Sequence, residues 1–172
     1  MIRFVILGAL ILVNMFASCQ SSETKNYDAA NQTNNSMSTS VNKSEEEWKK
    51  ILTPRQFEVL REKGTERPFT GEYNDHYEEG YYTCAGCGTE LFSSKQKFNS
   101  HCGWPSFDNE LGGGEKVKKV KDLSHGMVRT EIVCAKCGGH LGHLFDDGPT
   151  SSGQRYCVNS LSLYFKPGVV KE

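Results

Sequence analysis

The seven cysteines of this chain fall into three groups by their spacing. Four of them form two C-x-x-C pairs and three stand alone: Cys84 with Cys87, Cys134 with Cys137, and the isolated Cys19, Cys102 and Cys157. Two such pairs, separated by a domain-sized stretch, suit a tetrahedral structural zinc site, because each pair supplies two thiolates from one tight turn. Cys102 and Cys157 are then left for other chemistry, and we interpret them as a redox pair.

Each C-x-x-C pair is followed by a glycine, Gly88 and Gly138, where the backbone must turn toward the metal. Soft thiolates select zinc over hard cations, and four of them leave no open coordination position for catalysis. We therefore predict one structural Zn²⁺ bound by all four cysteines. Two alternatives remain open from the sequence: the cysteines of an exported protein can oxidise to disulfides, or His140 can replace one thiolate ligand.

Cys157 follows Arg155 by two residues, in a run that is typical of a β-strand. Side chains alternate along a strand, so Arg155, Cys157 and Asn159 are expected on one face. A neighbouring guanidinium lowers the pKa of a thiol from about 8.5 and raises its nucleophilic fraction. The alternative is a buried structural cysteine, which the polar flanking residues disfavour.

Two further segments carry side chains that shape a pocket. Gly103 and Pro105 enclose Trp104 directly after Cys102, which predicts an ordered, non-helical loop that presents an aromatic ring and brings Cys102 onto Cys157. The second segment is a glycine-rich loop that holds two histidines and a carboxylate, interpreted as a proton-handling network: His140, His143 and Asp147.

The two histidines need an irregular backbone to work together. Gly142 argues against a helix, and on a regular strand His140 and His143 would face opposite ways. His76 stands alone, and we interpret it as an exposed or internally satisfied side chain.

The first 44 residues differ from the rest. A short charged start and an apolar run too brief to span a bilayer identify residues 1–18 as a signal peptide, and Ala17-Ser18-Cys19 resembles a lipobox, in which Cys19 receives the lipid. Phe16 is unusual in that pattern, so plain secretory cleavage is the alternative. Residues 19–44 are predicted to be a flexible tether, because they contain too little apolar surface to order. The expected address is extracytoplasmic: a bacterial membrane-anchored lipoprotein, periplasmic or on the cell surface, touching the membrane only through its lipid.

Residues 45–172 are predicted to form one folded domain. Capping boxes at Ser44 and Thr53 begin two short helices, the second of which turns Phe57 and Leu60 inward and ends at Gly64. Short β-rich runs cut by turn residues follow at 81–84, 91–92, 117–120, 127–133 and 155–165. The expected fold is mainly β, with antiparallel sheets forming a small barrel-like core, short N-terminal helices and a zinc staple. A net charge of −1 without a long basic run argues against a nucleic-acid partner.

Five ordered motifs of this domain resemble those of the B-type methionine sulfoxide reductases, which act on the R epimer of methionine sulfoxide. They are GTERPFTG (64–71), CGWPSF (102–107), DLSHGM (122–127), HLGH (140–143) and RYCVNS (155–160). The resemblance implies that Cys157 is the nucleophile, Cys102 the resolving thiol and the tetrad a structural zinc site. Trp104 would pack on the substrate methyl group, and the other family positions would line the pocket: His140, His143, Asp147, Arg155 and Asn159.

The resemblance also implies a reaction. The enzyme would reduce methionine-R-sulfoxide in oxidised proteins or peptides, leaving a sulfenic acid on Cys157 that condenses with Cys102 to a disulfide, which a thioredoxin-like partner reduces. We expect a monomer. Two sequence features depart from the family pattern: His101 stands where many relatives carry glycine, with a possible effect on thiol access, and Gly112, Gly113 and Gly114 form an unusually loose connection.

Two other classes of protein fit these residues less well. A zinc-stapled binding module would not need two spare cysteines among pocket residues. A thiol-disulfide oxidoreductase would more often place its reactive pair within one C-x-x-C at the start of a helix, and both such pairs are assigned to zinc here.

Overall fold

The computed structural model of the chain describes residues 40–170. The predicted signal peptide, Cys19 and residues 19–39 of the predicted tether lie outside that range. Val41, within the range predicted as tether, packs against the core and donates its N–H to the Lys136 carbonyl at 2.8 Å. Among the residues that the structure describes, no helix is both long enough and apolar enough to cross a membrane.

Two short helices open the domain where the capping residues predict them. Helix α1 spans Glu45–Ile51 and α2 spans Pro54–Leu60, and Ser44 and Thr53 each form a complete capping box. The apolar faces turn inward as expected, because Phe57 and Leu60 are buried. The predicted end at Gly64 is wrong: α2 ends at Leu60, and the left-handed residue beyond it is Lys63, with φ 59°. Gly64 instead lies close to the Glu58 carbonyl, which accepts its N–H at 2.9 Å.

The rest of the domain is built from nine strands joined by turns and short 3₁₀ segments. They are β1 Gly80–Cys84, β2 Glu90–Ser93, β3 Lys97–Phe98, β4 Ser106–Phe107, β5 Val117–Asp122, β6 Arg129–Cys134, β7 His140–Phe145, β8 Arg155–Val158 and β9 Leu163–Pro167. They form a three-stranded sheet in the order β2-β1-β9 and a six-stranded sheet in the order β3-β4-β8-β7-β6-β5, and all pairs are antiparallel. The predicted mainly β, antiparallel class is confirmed, but the sheets do not close into a barrel.

The core lies between the two sheets and is largely aromatic. Phe92 stacks on Phe107 with ring centroids 4.4 Å apart, and Tyr82 meets Phe107 edge-on at 5.0 Å. All three side chains are fully buried, and burial of rings of this size supplies much of the hydrophobic stabilisation of a small domain. This packing holds the three-stranded sheet against β4, the strand beside the one that carries Cys157.

Two sequence expectations about strands need correction. The run 155–165 is not one strand: β8 and β9 belong to different sheets and are joined by the 3₁₀ segment Ser160–Ser162. The segment 140–145, expected to be a glycine-rich loop, is strand β7. Gly142 allows that strand to form, because a Cβ at this position would lie 2.0 Å from the Cys157 carbonyl oxygen on β8.

Candidate functional site

The two isolated cysteines of the domain meet at the centre of the six-stranded sheet. Cys157 lies on β8, where it pairs with Ser106 of β4, and Cys102 lies in the loop that leads into β4. Their Sγ atoms are 3.7 Å apart, as two free thiols. A disulfide needs about 2.05 Å between the sulfurs. A small movement of the Cys102 loop would therefore bring the two sulfurs to bonding distance.

Tight backbone contacts shape the Cys102 loop. Gly103 has φ 91°, and a Cβ there would lie 2.8 Å from the Phe69 nitrogen, so only glycine fits. The Gly103 carbonyl accepts the Phe69 N–H at 2.8 Å, which ties the loop to the preceding segment. His101 is also left-handed, with φ 56°, a conformation that costs a residue other than glycine about 1 kcal/mol or more. Its side chain is exposed, and its predicted effect on thiol access stays a prediction.

The contact between the two thiols shifts their pKa values in opposite directions. The hydrogen bond from Cys157, helped by Ser100 at 2.9 Å, outweighs burial and lowers the pKa of Cys102 to about 4. The same contact with Cys102, together with burial, raises the pKa of Cys157. Two groups this close titrate as a unit. The first negative charge therefore belongs to the pair, and the contact with Cys157 favours the thiolate form of Cys102.

Arg155 acts on Cys157 less strongly than the sequence predicts. Its guanidinium lowers the pKa of Cys157, but the contact with Cys102 and burial outweigh that effect. Arg155 binds Asp147 through two hydrogen bonds, Nε to Oδ1 at 2.7 Å and Nη2 to Oδ2 at 2.9 Å, and its guanidinium stacks 4.3 Å from the Phe145 ring centroid. This pairing raises the pKa of Arg155 and lowers that of Asp147. Asp147 therefore balances much of the Arg155 charge, which limits how far Arg155 lowers the pKa of Cys157.

A pocket of about 140 Å³ opens beside Cys157. Four of the predicted site residues line it: Trp104, His143, Cys157 and Asn159. The sequence analysis missed five more: Thr65, Arg129, Gly142, Phe145 and Val158. Its volume is well below the roughly 300–1,000 Å³ of sites for drug-sized ligands, so it suits the end of one side chain. Four predicted residues lie outside its lining: Cys102, His140, Asp147 and Arg155.

A carboxylate that the sequence analysis did not assign holds His143. Asp122 Oδ2 lies 2.9 Å from His143 Nε2 and also accepts a hydrogen bond from Arg129 Nη2 at 2.7 Å. Hydrogen bonds from Ser124, followed by the one from His143, keep the pKa of Asp122 well below its usual range. A carboxylate on one ring nitrogen fixes the tautomer and orientation of a histidine. Asp122 opens the DLSHGM motif, and that motif was the available signal for its role.

His140 is buried behind His143 and not at the substrate surface. The rings of the two histidines meet edge-on, with centroids 5.6 Å apart, as the shift of register in the β6–β7 pairing allows. Nδ1 of His140 binds Glu131 Oε1 at 2.8 Å, and Lys63 binds the other oxygen of Glu131 at 2.8 Å. Burial lowers the pKa of His140 despite this contact, which favours the neutral ring. The two histidines therefore converge as expected, and the register shift between β6 and β7 is the irregular backbone that this convergence requires.

A second unassigned carboxylate, Glu66, fixes the other side of the pocket. It is buried, and its two oxygens accept the N–H groups of Ser160 at 2.6 Å and Leu161 at 3.0 Å. Its own carbonyl accepts the Trp104 indole N–H at 3.1 Å, and its N–H binds Asn159 Oδ1 at 3.0 Å. Asn159 also donates to the Leu141 carbonyl, so its amide is largely engaged in structure. Glu66 thus positions two pocket residues at once.

The cysteine tetrad forms a separate site beneath the helices. The four Sγ atoms of Cys84, Cys87, Cys134 and Cys137 lie within 4.8 Å of one another, with two of the separations at 3.6 Å. Four thiolates around zinc, each about 2.3 Å from the metal, would be about 3.8 Å apart. These residues are positioned to hold a metal ion. Free thiols at these distances do not match the disulfide alternative, and His140 is committed to Glu131.

Each part of the tetrad sits on a turn that the sheet holds in place. The Gly88 and Gly138 N–H groups bind the carbonyls of Cys84 and Cys134, both at 2.8 Å, and both glycines have positive φ. The tetrad therefore joins the end of β1 in one sheet to the end of β6 in the other. His76, the lone histidine, is satisfied as expected by the Tyr82 hydroxyl at 3.0 Å.

Two free thiols beside a small pocket, with a separate cysteine tetrad positioned to hold a metal ion, are typical of thiol-dependent redox proteins. A family model described as the SelR domain matches residues 52–167. Proteins named peptide methionine sulfoxide reductase MsrB are similar over most of the chain. The protein from Methanosarcina barkeri is 58% identical over 73% of this chain and 88% of its own length.

Two bacterial relatives of the same name give similar values. The protein from Bradyrhizobium diazoefficiens is 56% identical over 74% of this chain and 91% of its own. The protein from Leptospira interrogans is 57% identical over 76% of this chain and 98% of its own. The chain belongs to the methionine sulfoxide reductase B family, which confirms the resemblance drawn from its motifs.

Proposed function

We propose that this protein reduces methionine-R-sulfoxide in oxidised peptides or proteins to methionine, using Cys157 as nucleophile and Cys102 as resolving thiol. The observation that carries the proposal is the 3.7 Å contact of these two sulfurs beside a pocket lined by Trp104 and His143. Membership of the methionine sulfoxide reductase B family supports the activity itself. The pocket is large enough for a methyl sulfoxide group, with the Trp104 ring available to pack on the terminal methyl.

The first step transfers the sulfoxide oxygen to the enzyme. The Cys157 sulfur attacks the sulfoxide sulfur and forms an S–S bond, and its thiol proton passes to His143, which donates it to the sulfoxide oxygen. The resulting hydroxyl then moves from the substrate sulfur to the Cys157 sulfur as the S–S bond and the substrate S–O bond break. Methionine leaves and Cys157 becomes a sulfenic acid, so the cysteine is oxidised by two electrons and the substrate is reduced by two. Asp122 accepts a hydrogen bond from Nε2 of His143, which orients the ring for this transfer, and its charge balances the ring while it carries the proton.

The second step converts the Cys157 sulfenic acid into a disulfide within the protein. The Cys102 thiolate attacks the Cys157 sulfenic acid, forming the disulfide, and the hydroxyl leaves as water after taking up a proton. The low pKa of Cys102 suits this role, because the thiolate is the attacking species. A thioredoxin-like dithiol then reduces the disulfide. Cys102 is half-buried beside the exposed His101, at a surface that such a partner can reach.

The metal and the N-terminus complete the proposal. We assign Zn²⁺ to the tetrad, because four thiolates at tetrahedral spacing favour this ion and close its coordination shell. The ion would fix the fold and take no part in the reaction. A lipid on Cys19 and an extracytoplasmic address are proposed from the sequence alone, as is a monomeric state. Mass spectrometry of the mature protein from membranes tests the lipid.

The decisive test of function uses each sulfoxide epimer separately. The purified protein is incubated with N-acetyl-methionine-R-sulfoxide or the S epimer and dithiothreitol, and methionine is quantified. We expect turnover of the R epimer alone, and none with Cys157→Ser. A Cys102→Ser variant should complete one turnover and stall with thioredoxin as reductant. Equal turnover of both epimers, or activity without Cys157, would overturn the proposal.

A further inference from the structure

A turn at residues 67–70 presents an aromatic side chain beside the Cys102 loop. Pro68 and Phe69 form the middle of this turn, and the Thr70 hydroxyl donates a hydrogen bond to the Arg67 carbonyl at 2.7 Å. Phe69 has φ 62°, in the left-handed region that glycine usually occupies at the third position of a turn. Its side chain is 67% exposed. We call residues 67–70 the Phe69 turn.

The fold itself gains little from a phenylalanine at this position. A left-handed backbone is unfavourable for a residue that has a Cβ, and a ring that stays mostly in water offsets little of that strain by burial. Among residues 40–170, four residues other than glycine have positive φ, and two of them, Phe69 and His101, lie against or within the Cys102 loop. Backbone strain that clusters in this way is typical of functional sites.

The Phe69 turn is fastened to the loop that carries Cys102. The Phe69 N–H donates to the Gly103 carbonyl at 2.8 Å. A Cβ built on Gly103 would lie 2.8 Å from Pro68 Cβ and 3.0 Å from Phe69 Cδ2, so both side chains pack on that glycine. Gly103 follows Cys102 directly in the chain. A molecule that contacts the Phe69 ring is therefore next to the resolving cysteine.

The position of the turn favours the reductant over the sulfoxide as its ligand. The lining of the sulfoxide pocket contains Cys157 and Trp104, but neither Cys102 nor any residue of the Phe69 turn. Methionine sulfoxide can therefore bind without Phe69, whereas every reductant must reach the disulfide of Cys102 and Cys157. A thiol on the surface of a folded protein is too bulky for a pocket of about 140 Å³, so Cys102 is the sulfur that it attacks.

The charge near the turn indicates which partner surface it accepts. Arg67 is exposed, and within the part of the chain that the structure describes its guanidinium forms no hydrogen bond or ion pair. The carboxylate before it, Glu66, is buried and accepts the N–H groups of Ser160 and Leu161. An exposed apolar ring close to an unpaired cation favours a partner surface that is both apolar and acidic.

We propose that the Phe69 turn is the docking surface for the protein reductant: a thioredoxin-like dithiol protein places an apolar surface on Phe69 and acidic side chains near Arg67. The inference rests on the proposed function and assigns the partner contact to it. The partner thiolate attacks the Cys102 sulfur and forms a mixed disulfide, while the bond to Cys157 breaks and Cys157 leaves as a thiolate that takes up a proton. The second partner thiol loses its proton, attacks the mixed disulfide and frees Cys102, so the partner loses two electrons and this protein gains them.

Glycine at position 69 separates docking from folding. Phe69→Gly removes the ring, keeps the N–H that binds Gly103 and suits the positive φ, so a stably folded variant is expected. Ile51→Ala is the matched control, because Ile51 is 52% exposed on α1, the helix whose Trp48 packs beside the tetrad. Lys50→Glu on the same helix is the control for Arg67→Glu, since both substitutions change the net charge equally.

The test measures the steady-state reduction of N-acetyl-methionine-R-sulfoxide with two reductants, dithiothreitol and a bacterial thioredoxin that is regenerated by thioredoxin reductase and NADPH. In Phe69→Gly, KM for thioredoxin should rise by about tenfold. In Arg67→Glu it should rise by about threefold, an effect that weakens as salt is added. Dithiothreitol needs no docking surface, so its rates should stay parental in every variant. Both control variants should keep the parental KM for thioredoxin.

Dithiothreitol also separates this inference from the proposed function. No reduction of the sulfoxide by the parental protein with dithiothreitol would refute the function. If that reaction proceeds, a parental KM for thioredoxin in Phe69→Gly refutes the docking surface alone, and so does a failure of thioredoxin to reduce the oxidised parental protein. A raised KM for an oxidised peptide in Phe69→Gly, with dithiothreitol as reductant, would show that the ring serves the substrate and would also overturn the proposal.

Discussion

A single carboxylate oxygen of Asp122 lies 2.9 Å from Nε2 of His143 and also binds Arg129, so it connects the proposed proton donor to the rim of the pocket. His143 is the histidine that lines the pocket, whereas His140 lies behind it against Glu131. The two histidines of the HLGH motif therefore occupy different positions, His143 at the pocket and His140 behind it. In the proposed mechanism His143 handles the proton, and His140 and Glu131 pack behind it on the buried side.

Replacing Asp122 should therefore impair the reaction more than binding. We expect Asp122→Asn to lower kcat by about 10–100-fold with little change in KM, because the neutral amide orients the ring less well and leaves its positive charge unbalanced. Asp122→Glu should recover part of kcat. The exposed Asp75→Asn is the matched control and should behave as the parental protein.

The same role predicts non-additivity with His143. If Asp122 acts through His143, Asp122→Asn should have little further effect once His143 is replaced by alanine, because residues that act as one unit are not additive. Independent effects of the two substitutions on kcat would contradict a positioning role for Asp122.

The pairing of the thiols predicts how alkylation depends on pH. The pKa of Cys102 is lowered to about 4, so its reactive thiolate is present above that pH and is lost only as the pH falls through it. The rate of Cys102 alkylation by iodoacetamide should thus be nearly constant from pH 6 to 8. In Cys157→Ala the main hydrogen-bond donor is gone, and the pKa should move back toward about 8.5.

Mass spectrometry of peptides after timed alkylation provides the measurement. In Cys157→Ala, the rate at Cys102 should rise by about tenfold or more between pH 6 and pH 8. A flat profile in this variant as well would show that Ser100 and the loop backbone, and not Cys157, hold the charge on Cys102.

The tetrad should determine stability and not redox chemistry. Cys137→Ser is expected to lose the bound zinc and to lower the melting temperature by about 10 °C or more, because the site joins the two sheets and metal binding contributes directly to folding. Cys102→Ser should retain one zinc per chain and the parental melting temperature. Metal analysis and calorimetry on the two variants decide the matter, and a zinc-free Cys137→Ser protein of unchanged stability would refute it.

Glu66 should matter for both stability and substrate affinity. Glu66→Ala leaves the buried N–H groups of Ser160 and Leu161 without acceptors, which should cost about 2–4 kcal/mol of unfolding free energy. KM should also rise, because the Glu66 side chain anchors the backbone of residue 66, whose carbonyl and N–H hold Trp104 and Asn159. Urea unfolding and steady-state kinetics measure the two effects. The exposed neighbour Glu72→Ala is the control, and equal behaviour of both variants would contradict this role.

The features that the sequence predicts correctly depend on local spacing. The two C-x-x-C turns converge as predicted, and Ser44 and Thr53 begin helices, because a capping box or a metal knuckle is complete within a few residues. Cys102 and Cys157, 55 positions apart, were paired by elimination and by the family motifs. In each case the type of residue limits the possible chemistry before the fold is known.

Strand β7 and the supporting carboxylates could not be predicted in this way. A glycine at position 142 indicates a loop when the chain is considered alone, yet in the sheet it is what lets β7 approach the Cys157 carbonyl. Asp122 reaches His143 across 21 positions, through the pairing of β5, β6 and β7. Such contacts are set by strand register, which the hydrophobic pattern of these short strands does not specify.

The pKa values of the thiol pair also could not be predicted from the sequence. Proximity in sequence suggested that Arg155 would lower the pKa of Cys157, but Asp147 balances the guanidinium and the Cys102 contact is stronger. Electrostatic effects depend on every neighbour in space, and only one of these neighbours was visible along the strand.

The central claim is that Cys157 and Cys102 carry the two electrons that reduce the sulfoxide while the tetrad stays bound to metal. The most direct measurement is a single turnover: fully reduced, zinc-loaded protein is mixed with excess N-acetyl-methionine-R-sulfoxide without reductant, then analysed for methionine, disulfides and zinc. The account predicts one methionine per chain, one disulfide between Cys102 and Cys157, and full retention of zinc. Release of zinc with a disulfide within the tetrad, or methionine formed while Cys102 and Cys157 remain reduced, would contradict it.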